Sequence, residues 1–471
     1  MFGGKEKTWQ YFDKQNKSDW ASKLAKPAGG DLEKAFNLFV ESNEHGDPHS
    51  LLKDWNDQLS AEHGGPVNYI LPFLRINLWN GKQEATPHLW VVINNPEDHM
   101  RIVEDNPGKS PMFGATNYGN NFLAHVDNKE WRRRRFGLIF AVSPRANETY
   151  FHKMERHAHM LIDKFMRAEG GQFTYGQTTP EPCFNVHSMI EHTAFSIAAD
   201  CLYDADDDMI NEWSQKIRWA LQNTRAGDPV ASKILNGWTN ALMSRPIPEG
   251  MNGPLLQGLH EVKEDYNKDD HPQSAIMGDV SILTIAMHDT TASTMSFCLT
   301  ELARRPALQD ALYVEVTKVL ANKQNGGDTM QRPMTYDDLY EMPLLTKVLN
   351  ETLRLYPAVS YGTQRELEKD TWLTVGPQGS TEKVLVPKGT NVMCHNFSNH
   401  RNKELWGEDA NEWKPERWEG YGDIDAINFD GPDGEDGWRT AYSARNPQSL
   451  RFHPFTRAPR QCFVSGIFPY F

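Results

Sequence analysis

Residues 455–462 read FTRAPRQC, and this stretch decides how the rest of the chain is interpreted. A single cysteine, Cys462, follows Arg457 and Arg460 on a turn that contains Pro459. Positive charge and free backbone N–H groups beside a cysteine favour its thiolate form, which is a metal ligand. The two arginines also suit the anionic groups of a bound cofactor. Taken alone, such a stretch is more often a structural or surface cysteine.

The composition excludes several other classes of protein. Cys183, Cys201, Cys298 and Cys394 form no CxxC pair, so the sequence has no zinc-knuckle or thioredoxin-like motif. The 471 residues include 49 Lys+Arg and 63 Asp+Glu, a formal net charge of −14. This acidic balance argues against broad nucleic-acid binding, which needs a basic surface.

The N-terminal region is polar, and we interpret residues 1–45 as an extension without a membrane anchor. No apolar run approaches the roughly 18 residues of a transmembrane helix, and the mean hydropathy is −0.64. Residues 1–30 lack the apolar core of a signal peptide. We expect a cytoplasmic protein, or one of the endoplasmic reticulum or another organelle if the N-terminus is incomplete.

The residue patterns predict a mainly α-helical fold with a small β domain. Branched and aromatic residues predict strands over residues 68–79 and 88–93. Helical patterns then dominate to about residue 304, and a second extended region is predicted over residues 372–393. Because no linker divides the chain, we predict one domain over residues 46–471.

A Glu–Arg pair stands in the apolar segment VLNETLRLYP, residues 348–357. The i,i+3 spacing places Glu351 and Arg354 on one face of a helix that we predict to be buried. A buried ion pair is costly without further hydrogen bonds, so a third partner is expected. Arg417, in the segment KPERW, is the candidate. An ordinary surface pair is the alternative.

Polar residues interrupt a second apolar helical run, residues 280–302, at AMHDTT (residues 286–291). A threonine hydroxyl in such a run can bond to the carbonyl one turn earlier and bend the helix. An opened turn beside a ligand can relay protons, with Asp289 as donor and Thr290 beside it. The alternative is a buried aspartate satisfied by a helix end or an arginine.

Four arginines follow Trp131, and together they surround a helix. Trp131 and Arg135 are spaced i,i+4, so they share a face, and that face suits an anionic group. We interpret Arg132, Arg133 and Arg134 as a solvated basic patch.

The order and spacing of these motifs resemble the cytochrome P450 family of haem-thiolate monooxygenases, from about residue 47 onward. Five family motifs have counterparts in this chain: WxxxR, the oxygen-helix motif [AG]GxDT[TS], ExxR, the PERF-like motif and the haem loop FxxGxRxCxG. In the same order, the counterparts are Trp131–Arg135, Ala286–Thr291, Glu351–Arg354, Pro415–Trp418 and Phe455–Val464.

The resemblance implies a role for each matching residue. Cys462 would be the proximal ligand of the iron of haem b. Asp289 and Thr290 would deliver protons to bound dioxygen. Two further groups follow from the family. The residues that meet the haem propionates would be Trp131, Arg135, Arg365 and Arg460, and the buried structural triad would be Glu351, Arg354 and Arg417.

The chain departs from the family pattern at several positions. Met287 and Ala458 stand where the family has glycine, and Val464 replaces the glycine after the cysteine. The chain also stops at Phe471, where family members continue with a helix and a hairpin. We therefore expect a prism-like fold that is incomplete after the haem-ligand loop and lacks that helix and hairpin.

The implied reaction is the insertion of one oxygen atom from dioxygen into a lipophilic substrate. Residues 385–418 are similar to long-chain fatty-acid and alkane hydroxylases of the family, which indicates a fatty-acyl substrate. A flavoprotein reductase or a ferredoxin would supply electrons at a basic patch formed by Arg132–Arg134 and Arg457. Two alternatives stay open: a haem-thiolate enzyme that rearranges peroxides, and a degenerate or truncated relative without catalysis.

Overall fold

The structure of the protein is a computed structural model. It describes residues 16–79, 82–105, 108–109, 121–123, 128–142, 144–167, 185–223, 228–250, 252–261, 272–321, 332–377, 379–419, 451–456, 460 and 462. The predictions that concern Cys183, Arg457, Ala458 and Val464 lie outside these residues, as does the chain after Cys462.

Helices dominate these residues, as the sequence predicts. The α-helices are α1 (Asp19–Lys23), α2 (Leu32–Glu44), α3 (Pro48–His63), α4 (Pro96–Asp105), α5 (Asn128–Leu138), α6 (Pro144–Met166), α7 (Val186–Tyr203), α8 (Asp207–Asn223), α9 (Pro229–Met243), α10 (Pro254–Glu261), α11 (Pro272–Ala303), α12 (Pro306–Leu320), α13 (Pro343–Leu355), α14 (Asn396–Asn399) and α15 (Lys403–Trp406). Short 3₁₀ helices cover Ala28–Gly30, Ile139–Val142, Tyr336–Glu341 and Pro415–Trp418.

The strands form one small mixed sheet and a separate two-stranded ribbon. They are β1 (Tyr69–Trp79), β2 (Lys82–Val92), β3 (Thr363–Glu366), β4 (Thr371–Thr374), β5 (Lys383–Val386) and β6 (Asn391–Cys394). The sheet order is β1-β2-β6-β3, in which β2 and β6 are parallel and the other neighbours antiparallel. Strands β4 and β5 form the ribbon.

The predicted strands are present, and β2 begins six residues before the prediction because of its pairing. Residues 82–87 are mostly polar and carry little strand signal. They pair with β1 from Trp79↔Lys82 onward, so the hairpin supplies their backbone hydrogen bonds. The residue pattern therefore predicted only the second half of β2, which is rich in branched and aromatic residues.

The region before residue 45 contributes to the packing around the sheet. Helix α2 buries Leu32, Ala35 and Phe39, and the Phe39 ring lies 5.5 Å from the ring of Phe73 on β1. Ala25 forms an isolated bridge with Tyr69 at the start of the same strand. Residues 21–39 of the predicted extension thus supply side chains to the sheet-side core. The domain boundary at residue 45 stays a prediction.

The helical half of the molecule is built around α7 and α11, which pack against each other. Helix α7 is buried on all sides from Thr193 to Tyr203, as expected for a helix in the middle of a core. Helix α11 runs for 32 residues, and its central part is largely buried. Among the described helices, none is both long and apolar enough to cross a bilayer.

The threonines of α11 make the predicted bonds within the helix. The Thr290 hydroxyl donates to the carbonyl of Ala286 at 2.8 Å, and that of Thr294 donates to the carbonyl of Thr290 at 3.0 Å. The helix nevertheless continues from Pro272 to Ala303. The hydroxyls are thus satisfied locally.

Gly362 should be required at the start of β3, where its backbone has φ +60° and a Cβ would lie 1.9 Å from the carbonyl oxygen of Cys394. We expect Gly362→Ala to lower the free energy of unfolding by at least about 4 kcal/mol, a loss typical of severe steric conflict. Urea denaturation of the purified chain measures this loss.

Gly389→Ala is the matched control, because Gly389 has φ +83° but open space around the missing Cβ. Its cost should be the conformational strain alone, about 1–2 kcal/mol. Equal losses for the two variants would show that the backbone conformation, rather than the close approach to Cys394, determines the requirement.

Candidate functional site

A buried ion pair holds the C-terminal half of α13. The guanidinium of Arg354 donates to both carboxylate oxygens of Glu351, from Nε at 2.8 Å and from Nη2 at 2.7 Å. Both side chains are 0% exposed. The helix produces this geometry directly, because residues three apart lie on one face. The alternative of a surface pair is wrong.

Other groups complete the hydrogen bonding of this pair. Arg354 also donates to the carbonyl oxygens of His400 at 2.6 Å, Ala410 at 2.7 Å and Glu412 at 2.9 Å. The carboxylate of Glu351 accepts from the Lys414 backbone at 2.8 Å and from the Trp418 indole at 3.0 Å. The pair thereby fastens residues 400–418 to α13.

The structure brings Arg417 to the same carboxylate. Arg417 Nε lies 3.4 Å from Glu351 Oε1, and Arg417 Nη1 donates to Asp409 at 2.8 Å. The three residues predicted as a structural triad, Glu351, Arg354 and Arg417, therefore meet in one network.

Trp131 on α5 joins two of the predicted cofactor-binding residues. The ring is 3% exposed. The guanidinium carbon of Arg135 lies 5.7 Å from its centroid, and that of Arg460 lies 4.5 Å from it. A tryptophan ring attracts cations, so it holds the two guanidinium groups close to each other.

Two further cations, Arg365 and Lys109, lie near Arg135 and Arg460 at the edge of the sheet. Arg365, on β3, is 0% exposed, and Lys109 forms an isolated antiparallel bridge with it. Burial lowers the pKa of Arg365 to about 10 and that of Arg460 to about 9, and the charge of Arg365 lowers the Arg460 value further. Burial and both arginines hold the pKa of Lys109 well below its usual value.

Lys109, Arg135, Arg365 and Arg460, which we call the cationic corner, repel one another in a poorly solvated place. The carboxylate of Glu368 opposes the lowering of the Arg365 and Arg460 pKa values but does not cancel it, so a further anionic group would be favourable here. The arrangement therefore fits a cofactor with carboxylate groups at this corner. Sequence analysis missed Lys109 as an individual residue. Its only signal in the sequence is that it is a lone lysine between residues 102 and 123.

Cys462 lies beside this corner. Its backbone N–H donates to the carbonyl of Phe455 at 2.9 Å, which closes the loop, and its half-buried side chain packs on the helical core. Burial lowers the pKa of Arg135, and a negative charge on the Cys462 sulfur opposes that shift. In the described part of the loop, Thr456 has the left-handed backbone, with φ +55°.

The predicted proton-delivery residues lie on α11. Asp289 is exposed and Thr290 is half-buried. The alternative of a buried aspartate is therefore wrong. Met287 is buried in the helical core, and His288 is also buried, with Nδ1 2.7 Å from the carbonyl oxygen of Thr284.

The predicted basic patch needs correction at Arg134. Arg134 is 2% exposed and pairs with Asp279 at 2.6 Å, so it is not a surface residue. Arg133 pairs with Glu130 at 2.7 Å. Four successive residues point to every side of a helix, so at least one must face the core. Of the described members of the patch, Arg132 is the exposed one.

Removing the charge of Glu351 should destabilise the chain strongly, because Arg354 would stay buried beside a neutral partner. We expect Glu351→Gln to cost about 3–5 kcal/mol of unfolding free energy. The measurement is urea unfolding followed by far-ultraviolet circular dichroism. Glu408→Gln, which breaks an exposed pair with Lys403, is the control and should leave stability nearly unchanged. A similar small loss in both variants would contradict the structural role of the triad.

Comparison with known proteins gives consistent matches. The cytochrome P450 family model matches residues 252–463, a range that contains every motif named above except the arginine-rich segment of α5 and the end of the haem loop. Cytochrome P450 monooxygenase 91 of Postia placenta is 33% identical over 176 residues, 36% of this chain and 31% of that protein.

Two other relatives extend the comparison. Cytochrome P450 52A3-A of Candida maltosa is 35% identical over 136 residues, 29% of this chain and 25% of that protein. Cytochrome P450 3A1 of Rattus norvegicus is 26% identical over 347 residues, 67% of this chain and 65% of that protein. The chain thus spans less than two thirds of the length of these three relatives. By its ordered motifs, the site that they build and these matches, the chain is similar to the cytochrome P450 family, most clearly over residues 252–463.

Proposed function

We propose that this protein is a haem-thiolate monooxygenase that inserts one oxygen atom from dioxygen into a lipophilic organic substrate. The observation that carries the proposal is the meeting of Cys462 with the cationic corner. A lone cysteine, buried cations and a tryptophan together suit a flat cofactor that offers a metal on its face and carboxylates at its edge.

The residues of this site would hold haem b in a defined orientation. Cys462 would ligate the iron, and Trp131, Arg135, Arg365 and Arg460 would face the propionates. Lys109 would add a further cation. Haem with a thiolate ligand supplies dioxygen activation, because the thiolate donates electron density that favours cleavage of the O–O bond.

Asp289 and Thr290 would move the protons that this chemistry consumes. The exposed carboxylate of Asp289 can exchange protons with solvent. The neighbouring Thr290 hydroxyl already donates to the Ala286 carbonyl, so its oxygen is oriented to accept from a proton donor. The pair places an acid and an alcohol side by side on one helix turn.

The electrons must come from a partner, a flavoprotein reductase or a ferredoxin. Arg132 is an exposed arginine of α5 that such a partner would meet. One arginine gives a weaker attraction for an acidic donor than the patch predicted from the sequence.

A fatty-acyl or alkane substrate is the preferred class. It rests on the resemblance of residues 385–418 to long-chain hydroxylases, a stretch that forms β6, α14 and α15 and packs against α13. Product analysis after incubation with a long-chain fatty acid, the electron donor and dioxygen tests it. If no hydroxylated fatty acid is formed, this substrate class is rejected.

Cys462 should be required for the haem-thiolate spectrum. We expect the reduced, carbon monoxide-treated chain to show the red-shifted band of thiolate-ligated haem, and Cys462→Ala to abolish it. Cys201→Ala, Cys298→Ala and Cys394→Ala are controls, since these three cysteines are buried; Cys394 lies close to Arg365 and Lys109, so it is the most stringent of the three. A normal band in Cys462→Ala would overturn the proposed site. A wild-type chain without the band would favour the non-catalytic alternative.

Thr290 should couple oxygen use to product formation. We expect Thr290→Ala to retain haem but to release peroxide and to lower product formation about 10²–10⁴-fold, the usual contribution of a positioned proton donor. Thr294→Ala is the matched control, because Thr294 makes the same bond within the helix one turn later. Thr290→Ser should retain coupling. Unchanged coupling in Thr290→Ala would favour the peroxide-rearranging alternative.

A further inference from the structure

Arg134 and Asp279 form an ion pair inside the protein, between α5 and α11. Their side chains are 1% and 0% exposed. Arg134 Nη2 lies 2.6 Å from Asp279 Oδ1, and Arg134 Nε donates to Asp279 Oδ2 at 2.9 Å. The two contacts are bidentate, so they fix the direction of the guanidinium plane as well as its distance.

The same carboxylate binds a third segment. The backbone N–H of Phe122 donates to Asp279 Oδ1 at 2.6 Å. Arg134 Nη2 in turn donates to the carbonyl of Ala275, one turn before Asp279 on α11, at 3.0 Å. One aspartate thus joins α11 to α5 and to residues 121–123.

This pair determines which way α5 faces. Successive residues of a helix are about 100° apart, so a fixed direction for Arg134 fixes that of its neighbour Arg135. Trp131 lies one turn before Arg135 on the same face. The ring of Trp131 contacts the guanidinium groups of both Arg135 and Arg460, as described above.

We propose that Asp279 is a positioning residue of the haem pocket, which acts through Arg134 to hold Trp131 and Arg135 toward Arg460 and Cys462. This inference rests on the proposed function. A purely stabilising role explains the pair less well, because buried ion pairs can often be replaced by apolar residues without loss of stability. Apolar residues would not reproduce the two contacts with Asp279 that fix the direction of the Arg134 guanidinium.

Haem titration of the purified full-length apo-chain, followed by absorption, tests the inference beside urea unfolding of the same samples. Asp279→Asn removes the negative charge of the pair. Arg134→Lys keeps a positive charge but loses the planar guanidinium that makes two contacts at once. We expect both to weaken haem affinity by roughly ten- to hundredfold, as removal of an outer-shell partner does at metal sites.

Asp98→Asn is the matched control. Asp98 is also buried, accepts from the Thr374 backbone at 2.7 Å and from Asn68 at 2.6 Å, and pairs with Arg101, but it lies beside the sheet. It should lower the unfolding midpoint about as much as Asp279→Asn while leaving haem affinity within a factor of about two.

A double variant distinguishes a loss of haem affinity from a loss of folding. Arg134→Met combined with Asp279→Leu leaves no buried charge, so we expect it to fold and still to bind haem more weakly than the wild type. Wild-type affinity in this double variant, or equal losses in Asp279→Asn and Asp98→Asn, would overturn the inference alone. A wild-type chain that takes up no thiolate-ligated haem would overturn the proposed function and the inference with it.

Discussion

The ion pair between Glu351 and Arg354 is the interaction on which the packing of residues 400–418 against α13 depends. Two charges without exposed surface are tolerable only because backbone and side-chain groups from residues 400–418 complete their hydrogen bonds. That requirement forces an irregular part of the chain to adopt one conformation against α13. Residues 400–418 thereby adopt an ordered conformation that their own secondary-structure propensities would not produce.

The site assembles at the boundary between the sheet and the helices. Strand β3 contributes Arg365, α5 contributes Trp131 and Arg135, and the loop before Cys462 contributes Arg460. Each element is held by contacts that do not involve the cofactor. Those contacts, rather than the cofactor, would set the directions of the side chains that face haem.

Short-range geometry explains which parts of the site the sequence could predict. The spacings of Glu351 with Arg354 and of Trp131 with Arg135 follow from helix periodicity, and the structure has both contacts. The need of a buried ion pair for a third partner predicted Arg417, and the order of the family motifs agreed with it. The burial of Arg134 was not predictable in this way, since its partner Asp279 is 145 residues away. A lone acid in the apolar start of α11 was the available signal. Lys109 was missed as a site residue for the same reason, because strand neighbours determine its position.

The cationic corner also makes this protein dependent on its cofactor supply. Mutual repulsion among Lys109, Arg135, Arg365 and Arg460 opposes folding, the charge of Glu368 offsets part of it, and a bound anionic cofactor would offset more. A ligand that binds only the folded state shifts the folding equilibrium according to its free concentration. In a cell short of haem, a larger fraction of newly made chains would remain partly unfolded and be degraded by proteases. Protein abundance would then follow haem availability without any dedicated sensor.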